Sequence, residues 1–284
     1  MAALEVRSAV CDLQPAERLS ELLASKGDGA RQVCLSAPGN FFEQVLPSAS
    51  VDLSLSGSSY HWLSSTDHLP RPEGCCLELA KFPPAMRDAW AAQARTDWTT
   101  ILRHRCAELK EGGMLMAIIP CAPCMNGAIE RMTQTFTIFE QRGLVRADAK
   151  VMNGFVLPAY IYRDAEALRE GFAGLPMRLD VCEVRPRRNS YLPEGGFGDG
   201  DAADAARALF GRRMAGWCFG WGARLIEDAV EFRSTLADQF ARDADAADLA
   251  IGMGCGVVLA ERHAPIMRRD ACGAGHRVSA QVDG

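Results

Sequence analysis

Apolar residues recur every four positions at Met86, Trp90, Ala94, Trp98, Leu102 and Cys106, which draws one stripe along a helix from Pro83 to about Lys110. A different period governs residues 50–59, SVDLSLSGSS, where apolar and small polar residues alternate as in a strand. LEVRSAVCDL (4–13) reads as a short strand that ends in an acidic residue. PAERLSELLASKG (15–27) reads as a helix with Pro in its first turn and Gly at its end. QVCLSAPGNFF (32–42) is a strand broken by the turn pair Pro38-Gly39. Glu111-Gly112-Gly113 closes the long helix, and MLMAIIP (114–120) is an apolar strand. The order strand, helix, strand, strand, helix, strand predicts a layered α/β domain with a mostly parallel sheet. Ligands of such sheets sit at the carboxyl ends of the strands. Asp12, Asn40-Phe41 and the run Ser56 to Trp62 would share that edge.

The second half reads differently. Residues 126–145 are helical and close at Gly143, and residues 153–174 are an extended piece followed by a helix. Residues 186–202, PRRNSYLPEGGFGDGDA, carry the densest Pro/Gly content and read as a mobile loop. Two helices fill 203–243, a strand ends at about 262, and residues 264–284 look like a disordered tail. The expected organisation is therefore an α/β core over 1–124, a mainly helical cap over 125–249, a strand returning to the sheet over 250–263, and the tail.

Composition narrows the classes. With 284 residues and a 48% apolar fraction the chain can bury a real core. A net charge of −5 gives no electrostatic case for nucleic acid or an anionic membrane. No apolar run reaches the roughly 18–20 residues of a membrane span. MAALEVRSAV has neither the basic flank nor the apolar stretch of a signal peptide, so a cytoplasmic protein is expected. The 11 cysteines then read as reduced thiols. Cys121-Ala-Pro-Cys124 has CxxC spacing, but Cys75-Cys76 does not complete a zinc set, and a turn after a strand explains it more simply. The five histidines form no HxxxH pair, and no metal site is expected.

SGSSYHWLSS (56–65) poses the functional question, because a strand leaves through small hydroxyl residues and then places His61 and Trp62 side by side. Taken in order, CDLQP, SAPGNFFEQVLP, SGSSYHWLS, the helix with its closing Gly-Gly, GFVLPAYI and ARALFG…GCGVVLAER resemble the SABATH carboxyl methyltransferases over about residues 9–262. The resemblance implies a Rossmann-like class I methyltransferase sheet with an α-helical cap. It implies S-adenosylmethionine as cofactor and a small carboxylic acid as substrate, or in some members a ring nitrogen. The cofactor's ribose would lie on Asp12, with Leu13 beside it, since a carboxylate accepts from two hydroxyls. Asn40, Phe41 and Ser56 would complete the cofactor side. Trp62 would donate its indole N–H to the substrate carboxylate, with His61, Ser58, Phe155 and Tyr160 shaping the pocket. No residue would act as acid, base or nucleophile; His61 and Trp62 would position.

The sequence departs from the family in places. The Ser after Pro-Gly is Asn40 here, and the Tyr four residues before the Trp is Ser58, which leaves Tyr60 to supply an aromatic wall or not. The family's glycine-rich methionine loop precedes the acidic strand end, where only eleven residues stand before Asp12. Gly252-Met-Gly254-Cys-Gly256 precedes a strand rather than a helix and reads as a turn. The sheet would thus be incomplete at its N-terminus, with apolar surface uncovered and self-association into a homodimer favoured. A truncated, non-catalytic homologue serving as a binding or interaction module is the alternative. Other readings stay beside each residue: Asp12 as the cap of the helix at Pro15, and Trp62, His61, Phe155 and Tyr160 as plain structural residues. Neither partner class outside small molecules, nucleic acid or membrane, is expected.

Overall fold

A computed structural model of the chain describes residues 6–10, 32–36, 39–71, 82–124, 126–146, 159–161, 164–219, 226–250 and 253–263. The order is β1 (Val6–Val10), β2 (Gln32–Ser36), β3 (Val51–Gly57), α1 (Pro84–Glu108), β4 (Leu109–Cys124), α2 (Asn126–Gln141), α3 (Ala165–Glu170), β5 (Met177–Arg185), α4 (Asp201–Phe219), α5 (Ala229–Arg242), α6 (Ala247–Ala250) and β6 (Met253–Arg262). β1 and β2 pair in parallel as a two-stranded sheet, and a second sheet has the order β3-β4-β6-β5. The mixed α/β class holds, but the sheet is less parallel than the element order predicts. β3 runs parallel to β4, while β6 is antiparallel to both β4 and β5. The predicted helix at 15–27 and the tail at 264–284 lie outside the described residues.

α1 sits on one face of the four-stranded sheet through the apolar stripe seen in the sequence. Trp90, Ala94, Trp98, Leu102 and Cys106 are buried, and the first four share one core with Leu115, Ala117 and Ile119 of β4 and Val258 and Ala260 of β6. The Trp98 indole N–H donates to the Leu168 carbonyl at 2.8 Å, which ties α3 to α1. α1 ends at Glu108, and the chain turns through Gly112 at φ +75° before the ladder resumes at Met114. A Cβ at Gly113 would lie 2.9 Å from the carbonyl oxygens of Lys110 and Val51, so only glycine passes here.

β3 reverses the usual arrangement of an alternating strand. Ser54 and Ser56 pair with Leu115 and Ala117, on the face that α1 covers. Leu53 and Leu55 point the other way and stay 53% and 65% exposed, with Met116 beside them at 38%. Small side chains suit the face where a helix approaches.

β5 is not among the strands expected from the sequence and joins the sheet as an edge. The string Gly252-Met-Gly254-Cys-Gly256 reads as a turn in the sequence, but from Met253 onward it is the start of β6. There Gly256 packs so closely that a Cβ would meet Leu168 Cδ1 at 2.6 Å and Cys121 Sγ at 2.7 Å. α2, α4, α5 and α6 form a helical layer with its own core, including Met132, Phe136, Phe139, Phe210, Met214, Phe232 and Phe240. The segment expected as a mobile loop is tied down at Asn189. Its Nδ2 donates to the Leu249 carbonyl at 3.0 Å, and its backbone N–H donates to the Ala250 carbonyl. Among the described residues no helix is long and apolar enough to cross a membrane.

Candidate active site

At the carboxyl end of β3 the chain makes a tight turn. Ser58 adopts φ +62°, a left-handed conformation uncommon for a residue with a Cβ, and its N–H donates to the Ile118 carbonyl of β4 at 2.8 Å. Trp62 N–H closes the turn on the Ser59 carbonyl. Residues 159–160 brace its far side, where Trp62 forms an antiparallel bridge with Ala159 and Tyr160 N–H donates to the His61 carbonyl at 2.8 Å. The His61 and Trp62 rings stand 4.8 Å apart, tilted by 38°. Of the predicted pocket residues, this geometry brings Ser58, His61, Trp62 and Tyr160 together.

Two polar atoms at this exit are buried without a hydrogen-bond partner: Ser56 Oγ and His61 Nδ1. Burial pushes the His61 imidazole down from its ordinary 6.5 to about 4, with the backbone at Ser58 a smaller influence in the opposite direction. His61 is therefore neutral at pH 7, and its unpartnered nitrogen can donate or accept according to tautomer.

The turn carrying Asn40 and Phe41 reaches the exit through tilted ring contacts. Phe41 lies 5.7 Å from Tyr60, and Tyr60 lies 6.0 Å from Trp98. Both side chains are buried in the core. Tyr60 therefore supplies no aromatic wall in place of the residue that is Ser58, and Phe41 could meet a ligand only through its backbone. Asn40 is exposed, and its Oδ1 accepts from the Phe42 N–H at 3.1 Å, which leaves the amide NH2. Asp12, Leu13 and Phe155 lie outside the described residues.

Sequence reasoning passed over the residues that hold these loops. Glu108 Oε1 accepts from Val45 N–H at 2.6 Å, Leu46 N–H at 3.1 Å and the buried Arg105 guanidinium at 2.7 Å. Arg105 also donates to the Glu43 carbonyl at 2.9 Å. Asp97 accepts from Ser64, just beyond Trp62. The available signal was charge inside an apolar stripe: 97, 105 and 108 fall on the same helix face as 90, 94, 98 and 101. Among the described residues no three His, Cys, Asp or Glu side chains converge as a metal site requires.

The model of the SAM-dependent carboxyl methyltransferase family matches residues 14–170. A Theobroma cacao protein named "Probable 7-methylxanthine methyltransferase 3" is 33% identical over 91 residues, 30% of this chain and 25% of that protein. The 3,7-dimethylxanthine N-methyltransferase TCS1 of Camellia sinensis var. assamica is 25% identical over 155 residues, 50% of this chain and 42% of that protein. The chain thus spans less than half the length of the curated relatives it matches. Among solved structures, a loganic acid methyltransferase with SAH superposes with TM-score 0.68 at 15% identity, covering 93% of this chain and 75% of that one. That likeness establishes the shared fold.

Proposed function

The chain belongs to the SAM-dependent carboxyl methyltransferase family, the SABATH proteins, and on that premise we propose that it transfers the methyl group of S-adenosylmethionine to the carboxylate of a small organic acid in the cytoplasm. The observation that carries the reading is the strand exit at 56–62, where Ser56 Oγ and His61 Nδ1 are buried and unpartnered. A buried polar group without a partner costs about 1–3 kcal/mol, so a polar ligand suits this place. Asp12, Leu13, Asn40, Phe41 through its backbone, and Ser56 would hold the cofactor. S-adenosylmethionine, when bound, supplies a methyl group activated by a sulfonium.

The chain's own residues then orient and dry the acceptor. A carboxylic acid is ionised at pH 7 and needs no general base. What remains is alignment of the attacking oxygen and removal of its water. Trp62 offers one indole N–H and a broad apolar wall. His61, neutral, offers a single hydrogen bond rather than a charge, so the carboxylate keeps its nucleophilicity. Ser58, Phe155 and Tyr160 would complete the lining. The helices of 125–249 act as a cap over the site, and the sheet's exposed apolar edge supports a homodimer.

A second reading takes a ring nitrogen as acceptor. The xanthine methyltransferases among the relatives favour it, and a neutral imidazole can accept from a ring N–H as readily as it donates to an oxygen. The test is calorimetric titration of the purified chain with S-adenosylhomocysteine, then methyl transfer to a panel of aromatic acids and xanthines. Saturable binding weakened by Asp12→Ala supports the methyltransferase. Absence of binding by a folded chain favours the non-catalytic binding module instead.

A further inference from the structure

Asp97 is only 5% exposed, on the face of α1 that buries Trp90, Ala94, Trp98 and Ile101. A carboxylate is expensive to bury unless hydrogen bonds replace its water. Three donors converge on this one: Ser64 N–H at 2.9 Å, Ser64 Oγ–H at 2.7 Å and Gln93 Nε2–H at 2.9 Å. Gln93 closes the set by also donating to Ser64 Oγ at 3.2 Å, while its Oε1 lies 3.1 Å from His68 Nε2. An ionised carboxylate can accept all three bonds, whereas an amide has a single acceptor oxygen. Each bond is made at Ser64, two residues beyond Trp62, or at the Gln93 that braces it.

The His61–Trp62 pair is thus held from three sides. β4 holds Ser58, residues 159–160 hold the backbone of 61 and 62, and α1 holds Ser64 through Asp97. Glu108, on the same helix, fastens the turn after Phe41 in the same manner. We propose that Asp97 is a positioning residue of the site: by locking Ser64 it keeps the His61 ring folded under cover beside Trp62, facing the acceptor. The proposal rests on the reading that His61 and Trp62 face a ligand, but its test needs no ligand and so stands or fails separately.

The test is the pH titration of the His61 ring followed by NMR, in the wild type, Asp97→Ala, Asp97→Asn and the core variant Ile101→Val. In the wild type burial is expected to hold the His61 midpoint well below 6.5, at about 4. Release of Ser64 lets water reach the ring, and the midpoint of Asp97→Ala rises toward 6.5 by about a unit or more. Asp97→Asn, which keeps one acceptor, rises less. Ile101→Val lowers stability without touching Ser64 and leaves His61 where it was. A His61 midpoint in Asp97→Ala that matches the wild type, or that Ile101→Val shifts equally, overturns the proposal. Should Asp97→Ala fail to fold, Ser64→Ala removes the hydroxyl bond and leaves the backbone one. A raised midpoint there supports the proposal, and an unchanged one overturns it.

Discussion

His61 is where a single side chain couples the site to the stability of the whole chain. Its imidazole is hard to protonate in the fold, about 4 against 6.5, because burial disfavours the charged form. The unfolded chain therefore binds a proton that the folded chain refuses between those values, and stability falls as pH drops through that window. Above pH 6.5 the effect is absent. By pH 4 it amounts to at most about 3 kcal/mol, at about 1.4 kcal/mol per unit. Urea unfolding at pH 7 and pH 4.5 should show this loss in the wild type, and His61→Gln should flatten it. A variant as acid-sensitive as the wild type would place the titrating group elsewhere. Trp62 and His61 were legible as site candidates, because a strand that ends in small hydroxyl residues before a His-Trp pair is unusual. The inward turn of Tyr60 was not legible: neighbours in a turn point to opposite sides, and only the position of Trp98 decides which ring is buried.

At the scale of the element, α1 is the part that organises the site. Its apolar stripe was readable from four-residue spacing, and Trp90, Ala94, Trp98, Leu102 and Cys106 are all buried. Its buried carboxylates showed only as charges lying inside that stripe, a position ordinarily assigned to solvent. Glu108 and Arg105 form a buried pair at 2.7 Å that also holds three backbone groups of residues 43–46. Removing one partner leaves the other charge buried and unpaired, which typically costs about 3–5 kcal/mol. Glu108→Ala is expected to lose stability in that range by chemical denaturation and to loosen the turn carrying Asn40. The double change Arg105→Met, Glu108→Leu should lose clearly less, because it leaves no unpaired charge. β5 is a strand whose signal was present, since MRLDVCEVR alternates apolar and charged residues as β3 does, and the Pro/Gly-rich stretch that follows drew attention from it.

At the scale of the whole molecule, the sheet shows one face to α1 and leaves Leu53, Leu55 and Met116 exposed on the other. In register, Leu55 lies opposite Met116 and Leu53 opposite Met114, so these residues form a continuous apolar edge rather than scattered contacts. Surface of this kind favours association between copies. Sedimentation of the purified chain should show concentration-dependent association, and Leu53→Glu with Leu55→Lys should reduce it without loss of helical signal. A monodisperse wild-type monomer would remove this expectation.

The division between what the chain's pattern determined and what the fold decided follows from the range of the forces involved. Helix and strand periods, the turn at Gly112-Gly113 and the strand exit at Ser56 are set by residues a few positions apart, so they could be read along the sequence. The direction of β6, the choice of the serine face of β3 as the covered one, and the burial of Asp97 and Glu108 were settled only by the tertiary structure. Each depends on partners tens of residues away: Glu108 meets Val45, Asp97 meets Ser64, and β6 returns to β4 from the far end of the chain. Hydrophobic periodicity marks which side of an element is buried against something. Which buried polar groups find donors is decided by the packing that brings those donors within about 3 Å.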